Sequence, residues 1–202
     1  MNAVSTAERS GKALKKDIKE STGNMDYKKL FDSLNPGFFE KAWIKSMPDD
    51  NVFSELVMDL REETPKELPF QCPDRITFGE YRGDIGTLRE AVAKVEEDWV
   101  QYFGEKSRVY CAFDGEAIAS FCIMDDWGMH DGLRISGPGC VGTVPAYRKK
   151  GIGLEMVRRA TIMLKEEGFD LSWIHYTHIG PWYEKLGYRT VLRWNGKGFI
   201  TA

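Results

Sequence analysis

Long hydrophobic runs are missing from this chain of 202 residues. No stretch approaches the roughly 20 apolar residues that span a bilayer, and the N-terminus lacks the apolar centre of a secretory signal. Cysteine is scarce. Cys72, Cys111, Cys122 and Cys140 are the four, and no two form a C-x-x-C pair, so the tight ligand spacing of a zinc site is absent. Three of them lie in apolar, strand-like segments, as free thiols do in a reducing cytosol. The expectation is a soluble, cytoplasmic protein with no membrane partner. Charge of one sign is also lacking: the net value is −3, too small and of the wrong sign to draw nucleic acid. Ser136 has no Gly-x-Ser-x-Gly elbow around it, which removes the usual serine hydrolase. No metal-hydrolase spacing and no internal repeat is present.

What is there is a core's worth of apolar residues, 42% of the chain, enough for one domain with an appendage. Residues 1–24 are polar and read as an arm, frayed or helical. Residues 25–74 read as a helical extension and linker, broken at Asn35-Pro36-Gly37, Met47-Pro48 and Thr64-Pro65. Val52, Phe53, Leu56, Val57 and Leu60 repeat at helical spacing within it. This extension is expected to pack on the main domain or on a second copy of the chain, as a homodimer. From residue 75 the pattern changes to strands alternating with helices, which predicts an α/β domain with a mixed sheet over 75–202. Asp84 caps a helix over Ile85–Val95. Asp114-Gly115-Glu116 joins two β-rich runs as a hairpin. Leu133–Val144 is a strand interrupted at Gly137-Pro138-Gly139, where proline cannot donate to a ladder. Ile152–Glu167 is an amphipathic helix ending at Gly168. Asp170–Thr177, Pro181–Leu186 and Tyr188–Trp194 follow as strand, short helix and strand.

The stretch Val144-Pro145-Ala146-Tyr147-Arg148-Lys149-Lys150-Gly151-Ile152-Gly153 joins a strand end, a basic turn and a helix start. Such a junction aims unpaired N–H groups and a positive helix terminus at one spot, a site for a phosphorylated ligand. It is not a nucleoside-triphosphate loop, because Gly153-Leu154-Glu155 lacks Gly-Lys-Ser/Thr. Nor is it the dinucleotide fingerprint, because the third glycine's place holds Met156.

About 35 residues later comes Tyr183-Glu184-Lys185-Leu186-Gly187-Tyr188. Taken with Pro145-x-x-Arg148-x-x-Gly151-x-Gly153, it resembles the GCN5-related N-acetyltransferase (GNAT) family over roughly residues 75–198. The resemblance implies an acyl-CoA N-acyltransferase fold that binds acetyl-CoA where two parallel strands splay apart, those ending at Val144 and Thr177. It implies that the backbone of Val141, Gly142, Thr143 and Val144 pairs with the pantetheine arm, and that N–H groups over Arg148, Lys149, Lys150, Gly151, Ile152, Gly153 and Leu154 hold the pyrophosphate. It implies that Tyr183 is the general acid. The family's cofactor-touching Asn, seven residues before the tyrosine, is Tyr176 here, which leaves that contact to Thr177 or His178.

The implied activity is acetyl transfer to a primary amine of a small molecule or peptide, by direct attack in a ternary complex. The base is open. No Asp or Glu lies between Leu133 and Val144, so Asp126 and His130, in an acidic loop spanning Asp125–Asp131, are the candidates. His175 and His178 flank the second strand's end, and strand alternation predicts 175 with 177 on one face and 176 with 178 on the other. The weak case for a base leaves a second reading, a non-catalytic acyl-CoA-binding sensor or interaction module.

Overall fold

The computed structural model describes residues 25–200, so the arm read over 1–24 lies outside the described residues. The chain divides into two compact units, Met1–Pro36 and Gly37–Ala202. In the first, helix α1 (Tyr27–Leu34) starts at Asp26, whose carboxylate accepts the amides of Lys28 and Lys29, each at 3.1 Å. These are donors that a helix start would otherwise leave unsatisfied.

The second unit does not begin at residue 75. After a short 3-10 turn at Phe38–Glu40 and helix α2 (Ala42–Lys45) comes β1 (Phe53–Asp59). This corrects the helical reading of that stretch. Residues 53, 56, 57 and 60 do repeat at i, i+3, i+4, i+7, but the segment is extended and buried on both faces, so it shows no alternation. Strand β1 lies inside the larger of two sheets, antiparallel to β8 (Leu171–Thr177) on one side and β9 (Arg189–Asn195) on the other. A boundary near residue 75 would therefore cut through this sheet.

The remaining elements follow the sequence reading closely: β2 (Ile76–Glu80), α3 (Ile85–Ala93), β3 (Val109–Asp114) and β4 (Ala117–Ile123). Asp84 caps α3 through the Thr87 amide at 2.8 Å. Gly115, at φ +60°, turns the β3–β4 hairpin. Residues 126–130, expected as loop, instead form β5 (Asp126–His130), which pairs with β6 (Leu133–Ser136) across Asp131-Gly132. Both turn residues have positive φ, 48° and 78°, the backbone of a tight primed hairpin turn.

Beyond β6 come β7 (Gly139–Thr143), α4 (Ile152–Glu166), β8, α5 (Gly180–Glu184), β9 and β10 (Gly198–Phe199). The larger sheet runs β10-β9-β1-β8-β6-β5 and the smaller β2-β3-β4-β7. One face of the smaller sheet packs against α3 through Leu88, Val92, Cys111 and Phe121. The other faces α4, whose Met156, Val157, Ala160 and Leu164 join Ile174, Leu56 and Met58 from the larger sheet in one continuous core. Free thiols are the state of all four cysteines. No helix among the described residues is long and apolar enough to cross a membrane.

The feature that positions the site is the break at Gly137-Pro138. Strand β6 runs parallel to β8 for only two residue pairs, Ile135↔Leu171 and Ser136↔Ser172. The chain then leaves for the smaller sheet as β7, pairing with β4. Parallel neighbours thus become members of different sheets, and a cleft opens between them. A Cβ at Gly137 would collide with the carbonyl oxygen of Trp173. Backbone cannot swing aside as a side chain can, so Gly137→Ala is expected to lower stability by about 1–3 kcal/mol or more, read as a fall in the urea midpoint. An unchanged midpoint would mean the branch tolerates separation.

Candidate active site

At the far end of β7 the chain passes through a 3-10 turn at Pro145–Tyr147, then Lys149 at φ +61° and Gly151 at φ +75°, before α4 begins at Ile152. Alternation of ordinary and left-handed residues turns successive amides inward, a concavity suited to anions. Gly151 provides no side-chain cap, so the first amides of a 15-residue helix are left for a ligand. A Cβ at Gly153 would meet the Thr143 hydroxyl, and one at Gly151 would meet the Phe70 ring; both glycines are there because the backbone is approached closely.

A cavity of about 350 Å³ lies here, lined among others by Thr143, Arg148, Lys149, Gly151, Gly153 and Lys185. This brings together most of the expected pyrophosphate-binding stretch. Arg148 is oriented by its Nε donating to the Thr143 carbonyl at 3.0 Å. Lys150 instead folds back, donating to the Ala146 carbonyl at 2.9 Å and lying 5.6 Å from the Tyr147 ring centre. Three lining residues were not foreseen in this role. Lys185 lay within the recognised motif but carried no assigned function, Trp182 stands just before that motif, and Phe70 comes from the supposed linker. The two arginines further along α4 are committed elsewhere. Arg158 and Arg159 each donate to Glu155 at 2.7 Å. Burial pushes the Glu155 carboxyl up, but the two guanidiniums outweigh it and hold the group below the usual carboxylate range.

Along the cleft wall, β7 carries a bulge. Phe121 pairs with Gly142 and Ile123 with Gly139, so β7 has one residue more than β4 over this span. Cys140, at φ +45°, absorbs it. An extra residue leaves backbone groups out of the ladder. Val141 packs toward the main core and the Val144 amide donates to the Ala119 carbonyl at 3.0 Å. Burial, with the nearby Asp125 carboxylate adding, pushes the Cys140 thiol up to about 11. It is therefore protonated and a poor nucleophile at neutral pH.

Tyr183 sits on α5, 4% exposed, edge-on to Trp182 with ring centres 4.8 Å apart. Burial pushes its phenol well above the usual range, with smaller contributions from Cys122, Tyr188 and Cys140. Its neighbour Tyr188 donates or accepts with Ser172 at 2.6 Å and Thr161 at 2.8 Å, whereas the Tyr183 hydroxyl makes no hydrogen bond among the described residues. Tyr188 is thus tied into the core by its hydroxyl, and Tyr183 is not.

The candidate bases lie on the β5–β6 hairpin, Asp126 opposite Ser136 at the branch and His130 at the far end. Asp126 binds Arg134 Nη2 at 2.7 Å, and that guanidinium lowers its carboxyl; it also accepts the Gly128 amide at 2.9 Å. His130 lies opposite Leu133, three residues before the branch, roughly 10 Å from it at strand rise. Its Nε2 donates to the Trp127 carbonyl at 2.9 Å. The His178 ring lies tilted at 37° to Phe53 with centres 3.8 Å apart and bonds the Val52 carbonyl through Nδ1 at 2.9 Å; it does not line the cavity at the basic turn.

The expected alternation at the end of β8 is also broken. Ser54 pairs with Thr177 but Leu56 with Ile174, an extra residue absorbed by Tyr176 at φ +56°. His175 and Tyr176 therefore both turn toward β1's Glu55. That carboxylate is fully buried and accepts from Trp173 Nε1 at 2.6 Å, Trp194 Nε1 at 2.7 Å, His175 Nδ1 at 2.9 Å and the Tyr176 amide at 3.1 Å.

Residues 105–190 match the family described as an acetyltransferase (GNAT) domain. No curated protein matches the chain. Among solved structures, one similar protein is a GCN5-related glucosamine N-acetyltransferase region in a fungal multi-domain GH3 beta-N-acetylglucosaminidase, with a TM-score of 0.59 and 22% identity over 78% of this chain and 22% of that one. A GCN5-related N-acetyltransferase from Kribbella flavida gives 0.52 and 18%, over 79% of this chain and 62% of its own. One from Sphaerobacter thermophilus gives 0.52 and 17%, over 70% and 49%. This chain spans less than two thirds of each of these three proteins, and at such identities the likeness is one of fold. Sequence match and three-dimensional likeness point the same way: residues 105–190 resemble the GNAT acetyltransferase domain, and the chain has the mixed α/β fold of the GCN5-related N-acetyltransferases.

Proposed function

We propose that this protein transfers an acetyl group from acetyl-CoA to a primary amine of a small molecule or peptide, by direct attack within a ternary complex. The observation that carries this reading is the shared mouth of two features. The amide-rich turn before α4 and the cleft opened at Gly137-Pro138 both lie along β7, one at its C-terminal end and one at its start. The fit to coenzyme A rests on the turn's close-packed glycines and on Arg148, Lys149 and Lys185 around the cavity. Those groups would hold the pyrophosphate, and the β7 backbone from Val141 to Val144 would pair with the pantetheine arm.

A thioester is already activated, so the protein's task is placement. The attacking nitrogen bonds to the acyl carbon and gives up a proton to solvent, the carbon–sulfur bond breaks, and the departing sulfur takes a proton. Amides at the Cys140 bulge supply charge stabilisation for the acyl oxygen. Tyr183 supplies the proton. A covalent acyl-thiol route through Cys140 is disfavoured by its raised thiol.

Coenzyme A release from acetyl-CoA, followed with a panel of amines beside calorimetric CoA binding, tests the reading. Acceptor-dependent release is the expected result. Tight CoA binding without turnover on any amine would leave the non-catalytic acyl-CoA-binding module in its place.

A further inference from the structure

The cavity at the basic turn has two ends, and its two glycines mark them. A Cβ at Gly153 would meet the Thr143 hydroxyl, at the end of β7, and one at Gly151 would meet the Phe70 ring. Coenzyme A carries pantetheine on one side of its pyrophosphate and adenosine on the other. In the acetyl-transfer reading pantetheine runs along β7, which leaves the Phe70 end for adenosine.

We infer that Phe70 is the platform on which the adenine ring of coenzyme A stacks; the inference rests on the acetyl-transfer reading. Three aromatic side chains line the cavity, Phe70, Tyr147 and Trp182. Two of them are occupied. Tyr147 and Trp182 pack against the main core; Trp182 also meets Tyr183 edge-on, and Lys150 Nζ lies 5.6 Å from the Tyr147 ring centre. Phe70 is 42% exposed and belongs to no ring pair among the described residues. A lone exposed apolar side chain is ordinary. This one lies over the backbone of an amide-rich turn, where a base attached to the bound phosphates would arrive. Stacking between a base and such a ring needs no hydrogen bond, only an open aromatic face.

The ring is also held in place. Phe70 stands in Leu68-Pro69-Phe70-Gln71-Cys72-Pro73, where each proline fixes its own φ. Leu68 and Cys72, two residues to either side, pack on the main core. The Lys66 amide donates to the Leu186 carbonyl at 2.8 Å and ties the start of this strap to the end of α5. A side chain presented by an anchored strap has less freedom to lose when a ligand settles on it. The strap lies outside the residues that match the acetyltransferase domain, so the contact belongs to this chain's own N-terminal part.

Charge divides across the same ring. The basic-turn cavity is lined by Arg148, Lys149 and Lys185 and by no carboxylate. Phe70 is shared with a second cavity, of about 410 Å³, whose charged lining is Glu67, Asp74, Glu155, Arg158 and Arg159. Both of those guanidiniums are bonded to Glu155 at 2.7 Å. A phosphate gains nothing on that side, whereas an uncharged base is admitted. Glu67 and Asp74 add acceptors there, which suit the amino-bearing edge of adenine. Phosphates on the basic side of Phe70 and the base toward the other satisfy both cavities with one molecule.

The test is calorimetric and uses the full chain with three probes: coenzyme A, phosphopantetheine, which lacks the adenosine half, and adenosine bisphosphate, which lacks the pantetheine half. Phe70→Ala is expected to weaken coenzyme A and adenosine bisphosphate by about 5- to 150-fold, the range of one lost base–aromatic stack, and to leave phosphopantetheine where it was. Phe70→Trp is expected to bind coenzyme A at least as tightly as the unaltered chain. Equal weakening of coenzyme A and phosphopantetheine would mean that Phe70 only shapes the turn, and would overturn the inference. So would a folded Phe70→Ala variant with undiminished coenzyme A affinity; in both cases the acetyl-transfer reading would stand. Should the variants not fold, the unaltered chain decides: adenosine bisphosphate should bind more tightly than the same bisphosphate stripped of its base, and equal affinities would overturn the stack. An unaltered chain that binds no coenzyme A overturns both readings together.

Discussion

Tyr183→Phe is expected to slow turnover about 10- to 10³-fold, the range of general-acid effects, while leaving CoA affinity nearly unchanged. Only the hydroxyl is removed, and no hydrogen bond among the described residues depends on it. The ring, which packs beside Trp182 and Tyr188, is kept. The pH behaviour carries a sign. Burial lifts the phenol above its ordinary value near 10, so Tyr183 stays protonated, and able to donate, through neutral and mildly alkaline pH. The loss of the acid form, and the fall in kcat it causes, should therefore come above the usual phenol range, and the phenylalanine variant should lack that fall. A thiolate leaving group needs little help at high pH, so the deficit of the variant should be largest near neutrality. Turnover equal to the wild type would remove Tyr183 from the mechanism.

Glu55→Ala is expected to lower stability by about 3–5 kcal/mol, the cost of taking one partner from a buried charged network. Two indole N–H groups and a bulge amide lose their acceptor at once, and a buried donor left without one costs about 1–3 kcal/mol. The loss should appear as a lower urea midpoint with little change in slope. Glu116→Ala, at the exposed hairpin turn, is the control and should stay within about 0.5 kcal/mol. Comparable losses in the two variants would mean that the indoles find water instead.

The basic turn and the strand break were legible because backbone chemistry leaves marks in sequence. Glycine at 151 and 153 marks close approach, Gly137-Pro138-Gly139 marks a strand that cannot continue its ladder, and Ile152–Glu166 shows one apolar stripe. The fold class followed from the alternation of elements after residue 75. What escaped has physical reasons too. Strand β1 is covered on both faces, so its apolar residues lose the two-residue period, and their chance spacing imitates a helix. The β5–β6 hairpin did carry a signal, Asp131-Gly132, the same dipeptide read correctly at Asp114-Gly115; the acidic residues before it made the stretch look like loop. The β8 bulge had no signal at all. It is set by a buried carboxylate 120 residues away in the chain, and it changed which side His175 faces.

The position of β1 has a consequence for how the molecule assembles. Its partners are Leu171–Thr177 and Arg189–Asn195, so the segment leaving the ribosome early must wait for the last quarter of the chain before a single ladder bond can form. Closing a loop that long is slow, and until it closes, a seven-residue strand with four apolar residues has both edges open. Misassembly during synthesis, more than weakness of the finished fold, is where this protein is most exposed.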